Sequence, residues 1–179
     1  NGSFIGVYST VKTPILLLFL AANLALAEPQ AFDRLTFHAP PKPLSKDAIT
    51  ENWPRFLGPS HNLHSKETNL LKSWPGSGPK MVWEVKRGTG HAPAVVSGDY
   101  LVMIHILEEM ETIECLQPET GKRYWKFHYP VQLGSNYGIT DASRAGPVID
   151  EDLVFTVGVR GDLHCFDLKS GKVIWKKNL

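Results

Sequence analysis

Two segments of the chain repeat each other at a distance of 50 positions, and this repeat constrains the fold more than any other feature. Residues 115–126 read CLQPETGKRYWK and residues 165–176 read CFDLKSGKVIWK, with Cys, Gly, Lys and Trp in the same places. The upstream segments also correspond, at an offset of 52 to 54: 93–95 with 147–149, and 100–104 with 153–157. The longer offset predicts a short insertion in the first copy, near residues 108–111. Such a period is typical of proteins built from stacked units.

Each copy is predicted to form four short β-strands. The predicted strands are 92–96, 100–107, 112–116 and 124–128 in the first copy, and 146–149, 153–159, 163–167 and 173–177 in the second. Gly and Asp between them supply the backbone conformations that hairpin turns need. Because no stretch after residue 27 shows helical periodicity, the sequence predicts an all-β fold.

The second strand of each copy favours a β-propeller. These strands, YLVMIHIL and LVFTVGV, are apolar on both faces, so both faces should be covered by other parts of the protein. Four-stranded sheets stacked around an axis cover both faces of their inner strands in this way. The alternative is a β-sandwich, whose strands would alternate between apolar and polar residues. We therefore expect about two four-stranded propeller blades preceded by one N-terminal strand.

Each copy carries a Trp four positions after a Gly. Trp125 follows Gly121, Trp175 follows Gly171, and Trp83 lies in a third copy of the same strand, MVWEVK, without the preceding hairpin. A large indole on an outermost strand can reach the neighbouring sheet, and the glycine leaves room for it. The alternative is that these indoles stack on a sugar or a cofactor. Their identical placement in each repeat favours the structural role.

The repeats resemble those of the quinoprotein-type β-propeller family, in which an apolar strand leads to a Thr/Ser-Gly-Lys turn with Trp four residues after the Gly. Residues 52–59, NWPRFLGP, and 70–75, LLKSWP, are similar to the opening of exported bacterial members. The resemblance covers roughly residues 52–179. It implies that the strand within residues 81–86 closes the ring by joining the last blade. A full ring at this period needs roughly 300 to 400 residues.

The same resemblance implies two different kinds of activity. Some members of the family are dehydrogenases that carry pyrroloquinoline quinone (PQQ) and calcium. Others are non-catalytic scaffolds, such as the propeller subunit of the outer-membrane protein assembly machinery. No residue of this chain is assigned to PQQ or to calcium by its sequence.

The N-terminal residues predict export. Residues 15–26 are almost entirely apolar, Lys12 precedes them, and Ala25 and Ala27 form a small-x-small cleavage site. The run is too short to span the roughly 30 Å of a bilayer, although a buried core helix is an alternative. We expect a periplasmic or secreted protein with no transmembrane span after cleavage and, since no Cys follows the site, no lipid anchor of the bacterial lipoprotein type.

The chain divides into four predicted regions. They are a signal peptide at 1–27, a Pro-rich linker at 28–52, an N-terminal extension at 53–80 and incomplete propeller blades at 81–179. Because the chain begins with Asn1 and ends inside a predicted strand, we expect it to be an N-terminal fragment. We expect residues 53–179 alone to be marginally stable, since the last blade would expose one face.

The charge balance argues against a nucleic-acid binder. The 19 basic and 18 acidic side chains give a net charge of +1, and no long run of one sign occurs. Gly88 and Gly90 precede a predicted strand rather than a helix, so they do not form a dinucleotide-binding turn. The sequence contains no nucleophile elbow, zinc-protease motif or phosphate loop.

The cysteines and histidines are interpreted as structural. Cys115 and Cys165 occupy equivalent repeat positions on different blades, so we expect buried thiols, with a disulfide as the alternative. His61 and His64 lie three apart with Glu67 nearby, but a loop with these three residues is a weak candidate for a metal site. His105 is expected in the core or at its edge. We assign no metal and no catalytic residue.

The long loop of residues 129–145 is the best candidate for a binding site. Loops that lead into the innermost strand of a blade line the mouth of the funnel, where propellers bind ligands. Within it we single out Arg144, then Tyr137 and Asp141, with His91 at the comparable place in the first blade. The alternative is an ordinary solvated loop.

We therefore expect an exported, non-catalytic scaffold that binds a protein partner or a small molecule at the propeller face. The alternative is a PQQ-dependent dehydrogenase of alcohols or sugars, with calcium. A purely structural subunit of an assembly is a third hypothesis. Metal-ligand residues and a ring-stacking Trp from later blades would distinguish the enzyme.

Overall fold

The structure is a computed structural model of the chain that describes residues 28–68, 70–132 and 142–179. These residues form ten β-strands and no helix. The strands are β1 (Leu35–Phe37), β2 (Trp83–Val85), β3 (Val95–Ser97), β4 (Tyr100–Leu107), β5 (Met110–Leu116), β6 (Arg123–Pro130), β7 (Val148–Asp150), β8 (Leu153–Val157), β9 (Asp162–Asp167) and β10 (Val173–Asn178). The predicted signal peptide lies outside the described residues. In the described part of the chain, no helix is long and apolar enough to cross a membrane.

Two four-stranded antiparallel sheets contain most of these strands. The first blade has the order β3-β4-β5-β6 and the second blade has the order β7-β8-β9-β10, so each is a simple meander. The observed strands agree with the predicted ones to within three residues at either end. This all-β architecture confirms the predicted partial propeller.

The insertion predicted in the first copy is a tight hairpin. Strand β4 pairs with β5 from Leu101↔Leu116 to Leu107↔Met110, and Glu108 and Glu109 connect them. Both connecting residues have positive φ, 51° and 61°, the conformation of a two-residue turn that follows the twist of the strands. The hairpin therefore extends the first blade beyond the second, whose β8 is shorter.

The third sheet has two strands, and one of them was missed by the sequence analysis. Strand β1 pairs antiparallel with β2, with Phe37 opposite Trp83. It lies inside residues 28–52, which we interpreted as a linker. The linker interpretation was wrong for these residues. A strand of three residues is too short to show a periodicity, and its partner β2 comes from a distant part of the chain.

The predicted opening motif covers the inner edges of both blades. Trp53 exchanges two backbone hydrogen bonds with Val96 of β3, at 2.8 and 2.9 Å. The next carbonyl, that of Pro54, accepts from the amide of Ile149 in β7 at 2.8 Å. A Cβ on Gly58 would lie 2.8 Å from the Trp53 ring, so only glycine permits this fold-back. The motif thus satisfies edges that would otherwise be open.

The hydrophobic core lies between the two blades. Its members are Ala92, Val95, Val102, Ile104, Ile113, Cys115, Trp125, Ile149, Val154, Phe166 and Leu168. The rings of Trp125 and Phe127 lie 5.8 and 5.0 Å from that of Phe166 in the second blade. The other face of the first blade is also covered, because Trp83 lies against Gly121 and Arg34 pairs with Glu114. A sheet that is covered on both faces is not one half of a two-layer sandwich.

Candidate functional site

The interface between successive sheets is formed by an indole that rests on a glycine. A Cβ on Gly121 would lie 2.7 Å from the Trp83 ring, and a Cβ on Gly171 would lie 2.5 Å from the Trp125 ring. Both glycines have positive φ, 69° and 68°, as the hairpin requires. Glycine is therefore needed twice over at each position, for the turn and for the ring above it.

Each of these indoles also donates a hydrogen bond across the interface. Nε1 of Trp83 donates to the carbonyl of Pro118 at 2.8 Å, and Nε1 of Trp125 donates to the carbonyl of Leu168 at 2.7 Å. Pro118 and Leu168 are 50 positions apart, like the glycines. The contact is thus a repeated unit that consists of one indole, one glycine and one carbonyl. We call it the Trp–Gly joint.

The third indole of the series has no glycine partner among the described residues. Trp175 is 42% exposed, whereas Trp125 is 8% exposed. Its nearest aromatic neighbour is Phe155 of its own blade, at 6.1 Å between ring centroids. The far face of the second blade therefore presents one half of a joint.

A buried carboxylate ties the interblade loop to both blades. Glu111 on β5 accepts hydrogen bonds from Tyr129 Oη at 2.8 Å, from Ser143 Oγ at 2.6 Å and from the amide of Val159 at 3.1 Å. Burial, together with this bond to Glu111, raises the pKa of Tyr129. Gly158 lies so close to Tyr129 and Glu111 that any side chain there would collide with them. The carboxylate fixes the start of the second blade against the first.

A second buried carboxylate joins the N-terminal segment to the first blade. Both oxygens of Glu114 accept from Arg34, at 2.6 and 2.7 Å, and Arg123 donates at 2.9 Å. His105 Nε2 lies 2.9 Å from Glu114, and its Nδ1 accepts from the amide of Gly88 at 2.8 Å. These two bonds indicate the neutral imidazole with its proton on Nε2.

The charge state of Glu114 follows from these partners. Burial by itself would raise its pKa, but the hydrogen bonds from His105, Arg34 and Arg123 outweigh burial. They hold the pKa at about 2, below the ordinary value of 4.5. Since every oxygen of this carboxylate is engaged, its role in the structure is to hold strands together.

The loop residues predicted as binding candidates are only partly described. Arg144 is exposed beside a cleft of about 270 Å³ lined by Ala142, Arg144, Ala145, Val157, Gly158 and Val159. His91 is also exposed, and its amide donates to the carbonyl of Ser143 at 2.8 Å, so the two predicted regions do meet. Tyr137 and Asp141 lie outside the described residues. The assignment of a ligand to these residues stays a prediction.

The remaining sequence candidates occupy structural positions. Cys115 and Cys165 are buried and free, and burial raises the pKa of both thiols. His105 is completely buried, as described above. His61 Nε2 lies 3.1 Å from the Arg55 guanidinium. Among the described residues, no three His, Cys, Asp or Glu side chains are grouped as metal ligands.

Sequence reasoning missed both buried carboxylates. Glu111 and Glu114 both lie in β5, whose sequence is METIECL. The available signal was a charged residue in a strand that other parts of the protein cover. A buried charge must be paired. Arg34 is 80 positions from Glu114, and Ser143 is 32 positions from Glu111. No local sequence pattern therefore identified these pairs.

The described residues do not by themselves fit PQQ. This cofactor carries three carboxylates, and calcium needs six to eight oxygen ligands, so a complete site needs several cations and free oxygens. The cleft beside Arg144 supplies one guanidinium among otherwise uncharged lining residues. The nearby oxygens of Glu111 already accept hydrogen bonds.

Comparisons with known proteins gave three matches, each to part of the chain. Residues 109–179 match the family described as outer membrane protein assembly factor BamB. The 1-butanol dehydrogenase (cytochrome c) of Thauera butanivorans is 28% identical over 104 residues, which are 55% of this chain and 14% of that protein. The crystal structure of BamB from Moraxella catarrhalis aligns at 23% identity with a TM-score of 0.40, covering 54% of this chain and 26% of that one.

The chain thus spans a small part of the length of each relative. The family match begins in the hairpin of the first blade and covers the whole second blade. It includes both glycines and both C-terminal tryptophans of the repeat. Within residues 109–179 the repeats of this chain are therefore similar to those of that family.

Proposed function

We propose that this chain is part of an exported propeller that serves as a binding scaffold for another protein. The observation that carries the proposal is the use of its buried polar groups. Glu111 and Glu114 would be the natural candidates for chemistry, and both are saturated by hydrogen bonds that hold loops and strands. A rigid arrangement of this kind suits the display of loops more than it suits proton transfer.

The surface that remains for recognition is the rim formed by the interblade loop. Arg144 and His91 are exposed there, on backbone held by Ser143. The family match to an assembly factor supports a protein partner, and the apolar segment at residues 15–26 supports export to the periplasm or beyond.

A photo-crosslinking experiment tests the scaffold role. A photoreactive amino acid is placed at Arg144 in the full-length protein in its native host, with the same residue at exposed Lys172 in the hairpin turn as the matched control. We expect a discrete protein adduct at position 144 that is absent at position 172. An equal pattern at both positions, or none at either, would contradict the proposal.

The second candidate is a PQQ-dependent dehydrogenase. The observation that favours it is the similarity over 104 residues to a 1-butanol dehydrogenase. The test adds PQQ and Ca²⁺ to the folded full-length protein and follows cofactor absorbance and dye reduction. The scaffold proposal predicts neither signal, and stoichiometric uptake with dye reduction would replace it by the enzyme.

A further inference from the structure

The segment of residues 52–63 lies along the inner edges of both blades. Strands β3 and β7 are the first strands of their blades, and they approach each other directly. Trp53 exchanges backbone hydrogen bonds with Val96 in β3, and the carbonyl of Pro54 accepts from the amide of Ile149 in β7. In a propeller the first strands of all blades surround one central channel. A segment that is bonded to two neighbouring first strands therefore lies at that channel.

The segment lies at the end of these strands that is farther from the rim. The rim residues precede β3 and β7 in the sequence, whereas the segment contacts the residues at which the two strands end. The amide of Gly98 donates to Asn52 Oδ1 at 2.8 Å, and Arg55 Nη2 lies 3.7 Å from the Asp150 carboxylate. Since each first strand runs once along the channel, the segment and the rim lie at opposite ends of it.

After Arg55 the chain folds into a compact loop that carries apolar side chains on its surface. The amide of Gly58 donates to the carbonyl of Arg55 at 2.9 Å, and the amide of Leu63 donates to the carbonyl of Leu57 at 3.0 Å. Phe56 and Leu63 are nevertheless 64% and 61% exposed. Exposed apolar side chains that are grouped on one ordered loop indicate a contact surface.

We propose that residues 52–63 form a cap that closes the central channel at the end opposite the rim, where Phe56 and Leu63 pack on the inner strands of the blades that complete the ring. The cap already bonds to two neighbouring inner strands, and the remaining inner strands surround the same axis. A ligand or a partner segment then reaches the axis only from the rim. The inference rests on the propeller fold and goes beyond the scaffold function, which does not require a closed channel.

Cysteine labelling of the purified full-length protein tests the cap. Phe56→Cys and the matched variant Lys122→Cys, in the turn between β5 and β6, place a thiol at two positions that are exposed among the described residues. We expect the peptide with residue 56 to react with a maleimide at least tenfold more slowly, because the remaining blades enclose it. Equal rates would overturn the proposal. Protection that is lost on dilution would also overturn it, because a second copy of the chain would then cover this surface.

Two glycine variants show whether the position of the cap causes the protection. A Cβ on Gly58 would lie 2.8 Å from the Trp53 ring, whereas Gly78, which also has a positive φ, has nothing within 4 Å of its Cβ position. We expect Gly58→Ala to raise the labelling rate of Phe56→Cys at least fivefold and Gly78→Ala to change it less than twofold. Equal effects of the two glycine variants would contradict the cap.

Hydroxyl-radical footprinting of the wild-type protein provides the readout if a variant fails to fold. Phe56 should be oxidised at least fivefold less than Phe37, which is 53% exposed on β1. Equal oxidation of the two rings would overturn the proposal. None of these measurements involves Arg144 or PQQ, so failure of the cap leaves the scaffold proposal to its own test.

Discussion

The two blades have the same repeat, strand order and turns, but they differ in how much of their apolar surface is covered. In the first blade, Trp125 and Ile113 are buried by the second blade. In the second, Trp175 is 42% exposed, and Leu163, at the position of Ile113, is only half-buried. The comparison teaches that a blade of this chain does not complete its own core. The next sheet in the series completes it, as in other repeat proteins.

The largest difference is expected between the two tryptophans. Trp125→Ala removes a buried indole, its hydrogen bond to Leu168 and its contact with Phe166, and should lower the free energy of unfolding by about 3–5 kcal/mol. Trp175→Ala at the equivalent position should cost no more than about 1 kcal/mol, because little contact is lost. Urea unfolding of both variants measures the difference. Similar losses would show that the far face is covered after all.

The two interfaces should also differ in their response to acid. Because the pKa of Glu114 is held at about 2, its contribution to stability is complete above pH 4.5 and is lost as the pH falls toward 2. The loss should reach about 3 kcal/mol, since a tenfold change in an acid dissociation constant corresponds to about 1.4 kcal/mol. Unfolding measured across this pH window should show the decline, and Glu114→Gln, less stable at neutral pH, should flatten it. A decline that persists unchanged in Glu114→Gln would contradict the assignment.

The glycine of a joint should be more sensitive than an equally strained glycine elsewhere. Gly171 has φ 68° and lies beneath the Trp125 ring, whereas Gly98 has φ 52° with nothing within 4 Å of its Cβ position. Gly98→Ala measures the cost of the turn conformation alone, about 1 kcal/mol. Gly171→Ala should lower the free energy of unfolding by about 2 kcal/mol more, because the methyl group forces the indole away. Equal costs would mean that the ring does not rest on the glycine.

The smallest effect is expected at His164, which occupies the repeat position of Glu114, directly before the repeated Cys. His164 is buried among rings, and its burial lowers the pKa of the imidazole from 6.5. Its contribution to stability is therefore present above pH 6.5 and declines as the pH falls. His164→Phe should change stability at neutral pH by less than about 1 kcal/mol and remove that decline. Thermal unfolding of both proteins between pH 7 and pH 5 checks the prediction.

The repeat was enough to predict the blades, because each blade is local in sequence. Turns such as Thr120-Gly121 and Ser170-Gly171 lie between strands that pair with their immediate neighbours. In the first blade, the apolar second strand indicated correctly that both faces of the sheet are covered. The placement of Trp over Gly likewise followed from spacing alone, although the partner in each joint is the glycine of the next copy.

The features that escaped prediction depend on contacts between distant parts of the chain. Arg34 reaches Glu114 across 80 positions. Strand β1 pairs with β2, which lies about 50 positions later in the sequence. A three-residue strand has too few residues to reveal a period. The contact between the rings of Phe127 and His164 likewise joins two different blades, and no local pattern predicts it.

A double-mutant cycle on one joint tests the central claim most directly. If the Trp125 indole rests on Gly171, then Gly171→Ala should cost much less in a Trp125→Ala background, because the clash is gone. We expect a coupling energy of about 1–2 kcal/mol for this pair and additive effects for Trp125 with Gly121, which share a hairpin without forming a joint. Additivity for Trp125 with Gly171, or equal coupling for both pairs, would contradict the stacking of these blades.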